Sequence, residues 1–391
     1  MEVYVLDSLY RRIAVVDDYV SLIWTERFYK IGDFELKVLS NLANKNLLTI
    51  GTRLSTNESY RVMVIESVED STDSDGNKII TIKGPSLESI FKHRLAAGSL
   101  DDSTSSPKWI LTGLPKAIAE KIFHDICVTG VVHTGDIIPY IVEDTIFTLD
   151  TIAEPPTSIT YEIVLGATMS DALIKLCEVY GMGNRIVREP TTNVLYFDIY
   201  MGSDRTTQQS LLAPVVFSEG LENLSNSREL KTSASYKNVA YVISPVGFEV
   251  VLADNVDPSV SGFDRQVLIV KADDITDTVP ATATAKMIQR GKEELAKNRQ
   301  LQAFDGEVTK NSNYVYEFDY RLGDLVELRD DSGACSTMQV TEHIFVSDKE
   351  GERSYPTLAI NTFITPGSWL AWDYSQVWSD LSDTEYWADQ P

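Results

Sequence analysis

Cysteine is scarce in this chain: Cys127, Cys177 and Cys335 are the three among 391 residues. They are far apart and form no CxxC pair, so neither a disulfide framework nor a thiolate metal site is indicated, and buried free thiols are expected. Histidine is also sparse. His93, His124, His133 and His343 stand singly, without HExxH spacing, and no GxSxG elbow occurs; zinc hydrolysis and serine-type nucleophilic catalysis therefore have no sequence basis. No apolar run approaches the roughly 20 residues needed to cross a bilayer. The opening MEVYVLDSLYRR lacks the basic segment and apolar block of a secretory leader, so synthesis and folding in a cytoplasm are expected. Basic charge is short as well, with 34 Lys and Arg against 58 Asp and Glu, a net −24. Binding a duplex needs cations that neutralise phosphates, so a DNA-gripping role is excluded. A surface that DNA slides past without sticking suits this charge, and so does plain solubility.

What the chain does contain is strands. In Ser21–Val38, SLIWTERFYKIGDFELKV, Leu22, Trp24, Phe28, Phe34, Leu36 and Val38 are apolar at even positions while Asp33, Glu35 and Lys37 are charged. That is the period-two pattern of half-buried strands. Lys30 to Asp33 reads as a hairpin turn, with Gly32 expected to supply a positive φ. YRVMVIESVE and KIITIKG flank the polar loop DSTDSDGN, and PSLESIFKHRL then reads as a helix with Leu87, Ile90, Phe91 and Leu95 on one face and a Glu88–Lys92 pair on the other.

Beyond the Ser/Asp/Gly-rich stretch AAGSLDDSTSSPK the pattern changes. Ile118, Ile122 and Ile126 follow Pro115 at helical spacing, and TMSDALIKLCEVYGMG gives a second helix, with Ser170 expected as its N-cap and Gly181 as its stop. RIVREPTTNVLYFDIY reads as a hairpin. Strands return at APVVFSEGLENL and YKNVAYVIS, a thinly apolar helix crosses TATAKMIQRGKEELAKNRQ, and four more strand-like runs follow.

At about 100 to 200 residues per domain the chain holds two to four. The expected fold is α+β, predominantly β: two small β-barrel-like modules with a helix-containing α+β insertion. The first module takes residues 1–107 plus 214–240, the insertion 108–213, and the second module 241–365 with its helix at about 281–302; a tryptophan-rich tail, 366–391, follows. A Gly-Asp pair precedes an alternating strand in both modules, IGDFELKV and LGDLVELR, which hints at duplication.

Candidate chemistry is thin. DSTDSDGNK resembles a calcium loop, yet in the register starting at Ser71 the first position is not acidic and the twelfth is Ile82 in place of Glu, so a solvated hairpin tip is expected. GMGNRI lacks the third glycine and the preceding strand of a dinucleotide site. Two carboxylates from distant strands can meet without local signature, as in glycoside hydrolysis, but abundance of acids is no evidence for it. No catalytic residue, cofactor or metal is expected. The tail is more telling: Trp369, Trp372, Trp378 and Trp387 lie in acidic, turn-rich context. Indoles in such density are either packed back on the chain or docked on a partner, where tryptophan is enriched among energetic anchors; contact with a neighbouring subunit or partner is the expectation.

The ensemble of segments resembles a known family. YVLD, SLIWTERFYKIGDFEL, VMVIESVE, ITIKGPSLESIFKHRL, MGSDRT, PVVFSEGLENL, SASYKNVAYV and YRLGDLVEL fall in the order found in minor tail proteins of long, non-contractile-tailed bacteriophages. These are siphovirus tail-tip hubs, related to baseplate hub proteins and to the N-terminal region of tail-associated lysins. The residues carrying the resemblance are Trp24, Gly32, Phe34, Gly84, Asp204, Arg205, Asn238, Gly323 and Asp324. It implies a virion protein at the tail tip, a homotrimeric ring-forming hub that adapts sixfold to threefold symmetry and closes or opens the DNA channel. The implied partners are the distal tail protein, the tape-measure protein and downstream tail fibre or receptor-binding proteins, with genomic DNA only passing through. It carries no cell-wall-degrading activity to this chain. A receptor- or carbohydrate-binding module at the tail tip is the alternative, and a cell-wall hydrolase the third reading.

Overall fold

The chain opens in short strands, β1 (Val3–Leu6), β2 (Arg12–Val16), β3 (Tyr19–Arg27) and β4 (Asp33–Leu39). The computed structural model describes residues 1–72, 76–98, 108–147, 151–155, 158–253, 256–298, 301–308, 314–329 and 335–360. β3 and β4 pair antiparallel with Trp24 opposite Phe34, their rings 5.9 Å apart, and all six even apolar positions of this stretch are buried. Gly32 differs from expectation, since its φ is not positive. Its lack of a side chain answers a close approach instead: a Cβ there would lie 2.5 Å from the Thr25 carbonyl oxygen, and its N–H donates to Ser86 Oγ at 3.0 Å.

After α1 (Leu42–Leu47), β5 (Arg53–Thr56) and β6 (Met63–Val64), the strands β7 (Ser67–Thr72) and β8 (Lys78–Pro85) form the hairpin that the Asp-rich loop predicts. The helix predicted next is a tight three-residue-per-turn helix, Leu87–His93. The tighter winding rotates Glu88 and Ser89 inward beside Phe91, so Glu88 is buried and does not make the predicted surface pair with Lys92.

β9 (Lys108–Gly113) leads to α2 (Pro115–Phe123), whose final turn widens over His124–Val128 so that Ile118, Ile122 and Ile126 are all buried. β10 (Ile141–Glu143) and β11 (Ile159–Val164) precede α3 (Met169–Tyr180). Its N-cap is Thr168, in place of the predicted Ser170: Thr168 is extended and its Oγ1 accepts from Asp171 N at 3.1 Å, while Ser170 is already inside the first turn. Gly181 ends the helix in the left-handed conformation, φ +68, as predicted. β12 (Gly183–Arg188) and β13 (Leu195–Tyr200) then pair as the predicted hairpin. Cys127 and Cys177 are buried free thiols, and burial pushes both thiols up to about 12.

The remaining elements are β14 (Val216–Phe217), β15 (Leu224–Thr232), β16 (Val239–Ser244), β17 (Gly247–Leu252), β18 (Val267–Lys271), α4 (Pro280–Lys297), β19 (Leu301–Val308), β20 (Leu325–Arg329), β21 (Cys335–Asp348) and β22 (Gly351–Ile360). They divide between two compact units. The first takes Met1–Thr151, Ser158–Leu230 and Ala303–Asn361; the second is built around Lys231–Gln302.

A ten-stranded sheet orders β15–β19–β22–β21–β3–β4–β8–β7, with β20 pairing to β21 and β14 to β20. N-terminal and C-terminal strands thus share one sheet, β21 lying antiparallel beside β3 with Glu26 opposite His343. The mainly β, α+β class is as predicted, but no closed barrel forms among the described residues. The order ends at β7, whose side chains are all exposed and include Glu69 and Asp70, and charged side chains on an edge strand disfavour further pairing. The second unit is smaller. Its sheet, β17–β16–β18, packs Ala240, Val242, Val251 and Val270 against Ala283, Met287 and Leu295 of α4, the predicted thin apolar stripe.

Candidate functional site: the signature residues and a buried polar layer

MGSDRT and LGDLVEL are more than a hundred residues apart in sequence and meet in the first unit. Asp204 and Leu325 form a parallel bridge, with Leu325 N donating to Ser203 O at 2.9 Å and Arg205 N to Leu325 O at 2.8 Å. Asp324, buried, accepts from Ser203 N at 2.7 Å through Oδ1 and from Arg321 N at 3.0 Å through Oδ2, and Arg205 Nε stands 3.7 Å from its carboxylate. Burial raises the Asp324 carboxyl to about 6, against the pull of these N–H groups and of the arginines. Gly202 and Gly323 both take positive φ, +88 and +91, and a Cβ on Gly202 would lie 2.3 Å from the Gly323 carbonyl. Gly323, unlike Gly32, is the left-handed member of the two Gly-Asp pairs. Gly84 is a third close approach, with its Cβ position 1.8 Å from Val64 O. In the second unit Asn238 donates to Asp264 O and accepts from Gln266 N, both at 2.7 Å, and so ties down the loop before β18.

Beneath the hairpin of β3 and β4 lies a layer of buried polar groups. Arg61 and Glu88 form a fully enclosed ion pair, and Glu88 Oε1 also accepts from Ile186 N at 2.7 Å. Glu26 accepts from Ser59 Oγ and from Tyr316 OH, the latter at 2.9 Å. His343 stacks face to face on Tyr316, centroids 3.8 Å apart, and neither of its ring nitrogens has a hydrogen-bond partner. Arg185 is held by Asp198 at 2.6 Å and lies over the Tyr200 and Phe147 rings at 3.8 and 3.9 Å, a stacked geometry that guanidinium suits. The layer joins the start, middle and end of the chain. Glu26, Glu88 and His343 are sealed from solvent, and among the described residues no group of three or more metal-ligating side chains occurs.

A family model described as Siphovirus ReqiPepy6 Gp37-like protein matches residues 2–358. The chain belongs to that family. The fold is shared with the tail protein from Neisseria meningitidis MC58, with TM-score 0.58, 14% identity, and 93% of this chain and 98% of that one covered. It is shared likewise with the prophage MuSo2 43 kDa tail protein from Shewanella oneidensis (0.55, 14%, 92% and 96%) and with prophage tail protein gp18 from Listeria monocytogenes EGD-e (0.50, 13%, 93% and 95%). No curated protein matched.

In this siphovirus tail protein Gly32 and Gly84 stand where backbone approaches backbone, Gly323 stands against the Phe28 ring, and Trp24 with Phe34 anchors the core of the first hairpin. Trp369, Trp372, Trp378 and Trp387 lie outside the described residues. Arg61, Glu88, Tyr316 and His343 have no local signature in the sequence. Glu26 has one: it occupies an even, core-facing position between Trp24 and Phe28, where alternation calls for an apolar residue.

The two opposed groups of this layer titrate with opposite sign. Burial, then the Glu317 charge, raises Glu26 from 4.5 to about 7. Between those values the folded protein holds a proton that the unfolded chain has released, so stability falls as pH rises. Burial lowers His343 from 6.5 to about 3, and there the unfolded chain takes up a proton the folded one refuses, so stability falls as pH falls. Urea unfolding of Glu26→Gln between pH 4.5 and 7 is expected to show stability rising more steeply with pH than in the unsubstituted protein, by an amount on the order of a few kcal/mol across the window. Parallel profiles would remove Glu26 from the titration.

Proposed function

We propose that this tail protein is a tail-tip hub: a homotrimeric, non-enzymatic ring component that ends the tail tube, adapts sixfold to threefold symmetry, and closes the DNA channel until host attachment opens it. The observation that carries the reading is a fold shared over more than nine-tenths of the chain with phage tail proteins. The acids Glu26, Glu88 and Asp324 of this chain are buried within the fold. The net charge of −24 supports it, because an acidic channel wall does not retain a passing duplex. The distal tail protein above, the tape-measure protein within and fibre or receptor-binding proteins below are the partners such a hub requires. Light scattering across a concentration series, with and without those tail-tip proteins, tests the reading. A mass near three times 43.7 kDa is the expected result; a chain that stays monomeric in their presence refutes the hub role.

A further inference from the structure

The sheet β17–β16–β18 has α4 on one face; on the other, Val239 is buried and Arg265 lies over Tyr241, while much of the rest of the face is exposed. On that outer face Ile243 lies opposite Phe248 and Tyr241 opposite Val250, while Ile269 lies beside Tyr241 and Lys271 beside Ile243. Phe248 is 70% exposed, Ile269 66%, Ile243 47% and Val250 46%. These side chains are adjacent in register, so they form one apolar patch, of the kind that marks a docking surface. The strands themselves read VAYVIS, FEVVL and VLIVK. Apolar residues thus stand at outward as well as inward positions of these strands, and the outward ones are largely exposed. The patch carries cations at its margin: Lys271 is on this face, and Arg265 lies over the Tyr241 ring with its Nη2 3.3 Å from the tyrosine hydroxyl. Glu249 points the other way, to Thr284 of α4.

We propose that the outer face of β16–β18 is the docking site of the chain's own C-terminal segment, residues 366–391. That segment holds Trp369, Trp372, Trp378 and Trp387 together with Asp373, Asp380, Asp383, Glu385 and Asp389, and no lysine or arginine. Aromatic bulk with purely acidic charge complements an apolar face rimmed by cations. Residues 361–391, extended, reach roughly 100 Å, and a tethered segment meets its site at an effective concentration in the millimolar range. An own-chain contact therefore has the advantage over the same segment arriving from another copy. The assignment does not depend on the tail-tip reading.

Acrylamide quenching of tryptophan emission tests it on the full-length protein. Trp24 is buried and Trp109 half-buried in the first unit, so changes on the sheet face report on the tail indoles. Strong shielding is expected in the unsubstituted protein, with the quenching constant rising severalfold in Phe248→Asp/Ile269→Asp and more modestly in Lys271→Glu. Tail indoles already open in the unsubstituted protein, or unchanged by these variants, overturn the proposal. So does shielding that appears only as protein concentration increases, which assigns the contact to a neighbouring copy. Zero-length carbodiimide cross-linking of the unsubstituted protein needs no variant. An intrachain link from Lys271 to an acid of 373–389 is expected, and its absence from the monomer band counts against the docking.

Discussion

Gly202→Ala is expected to lower the stability of the first unit by about 2 to 6 kcal/mol, the sum of a left-handed non-glycine residue at ~1–3 and overpacking at ~1–3. The reasoning is geometric. At φ +88 the new Cβ would sit 2.3 Å from the carbonyl carbon and oxygen of Gly323, atoms of the backbone that cannot rotate away as a side chain would. Nor can that strand retreat. Gly323 has its own Cβ position 2.4 Å from Phe28, and Ser203 N, Leu325 N and Arg205 N pin the two segments together. Gly76→Ala is the control: it shares the conformation, φ +86, with nothing within 4 Å of its Cβ position. Chemical unfolding of both variants separates the terms, since the control carries only the backbone cost. Equal losses would mean that the junction between 202 and 323 yields without resistance.

Glu88→Ala is expected to cost about 3 to 5 kcal/mol, because it leaves the Arg61 guanidinium buried without its counter-charge. Arg61 and Glu88 side chains are 7% and 3% exposed, so water cannot replace the lost partner. The Ile186 N–H loses its acceptor in the same step. Glu88→Gln keeps an acceptor for Ile186 but not the charge, and falls between. The double variant Arg61→Met/Glu88→Leu removes both charges and is expected to recover most of the loss, since apolar replacement of a buried pair is often close to neutral. A double-mutant cycle from thermal unfolding decides this; a double variant as unstable as the sum of its parts would show that the pair is not coupled.

Legibility in the sequence followed the range of the interactions. The alternation of Leu22, Trp24, Phe34 and Leu36 needs only neighbours on the same strand, and the structure buries that set. Helices α2, α3 and α4 were legible for the same reason, although the cap of α3 moved to Thr168 and the 87–93 segment wound too tightly to keep its predicted face. The family resemblance pointed to Asp204, Arg205, Gly323 and Asp324 one by one, without their meeting. The polar layer was harder: Glu26 alone broke a local pattern, whereas Arg61 and His343 look like ordinary surface residues until strands from both ends of the chain enclose them.

By itself the amino-acid sequence determined the strand-rich class, the hairpins of Trp24–Phe34 and of β12–β13, the scarcity of thiol and imidazole chemistry, and an acidity that repels nucleic acid. Each of these depends on side-chain type or on periods of two or 3.6 residues, which are written locally. Tertiary structure alone decided that β21 lies beside β3, that the sheet stays open at β7, and that Glu88 turns inward to Arg61. These depend on which distant segments exclude water together, and a buried charge is stable only where its partner arrives from elsewhere in the chain.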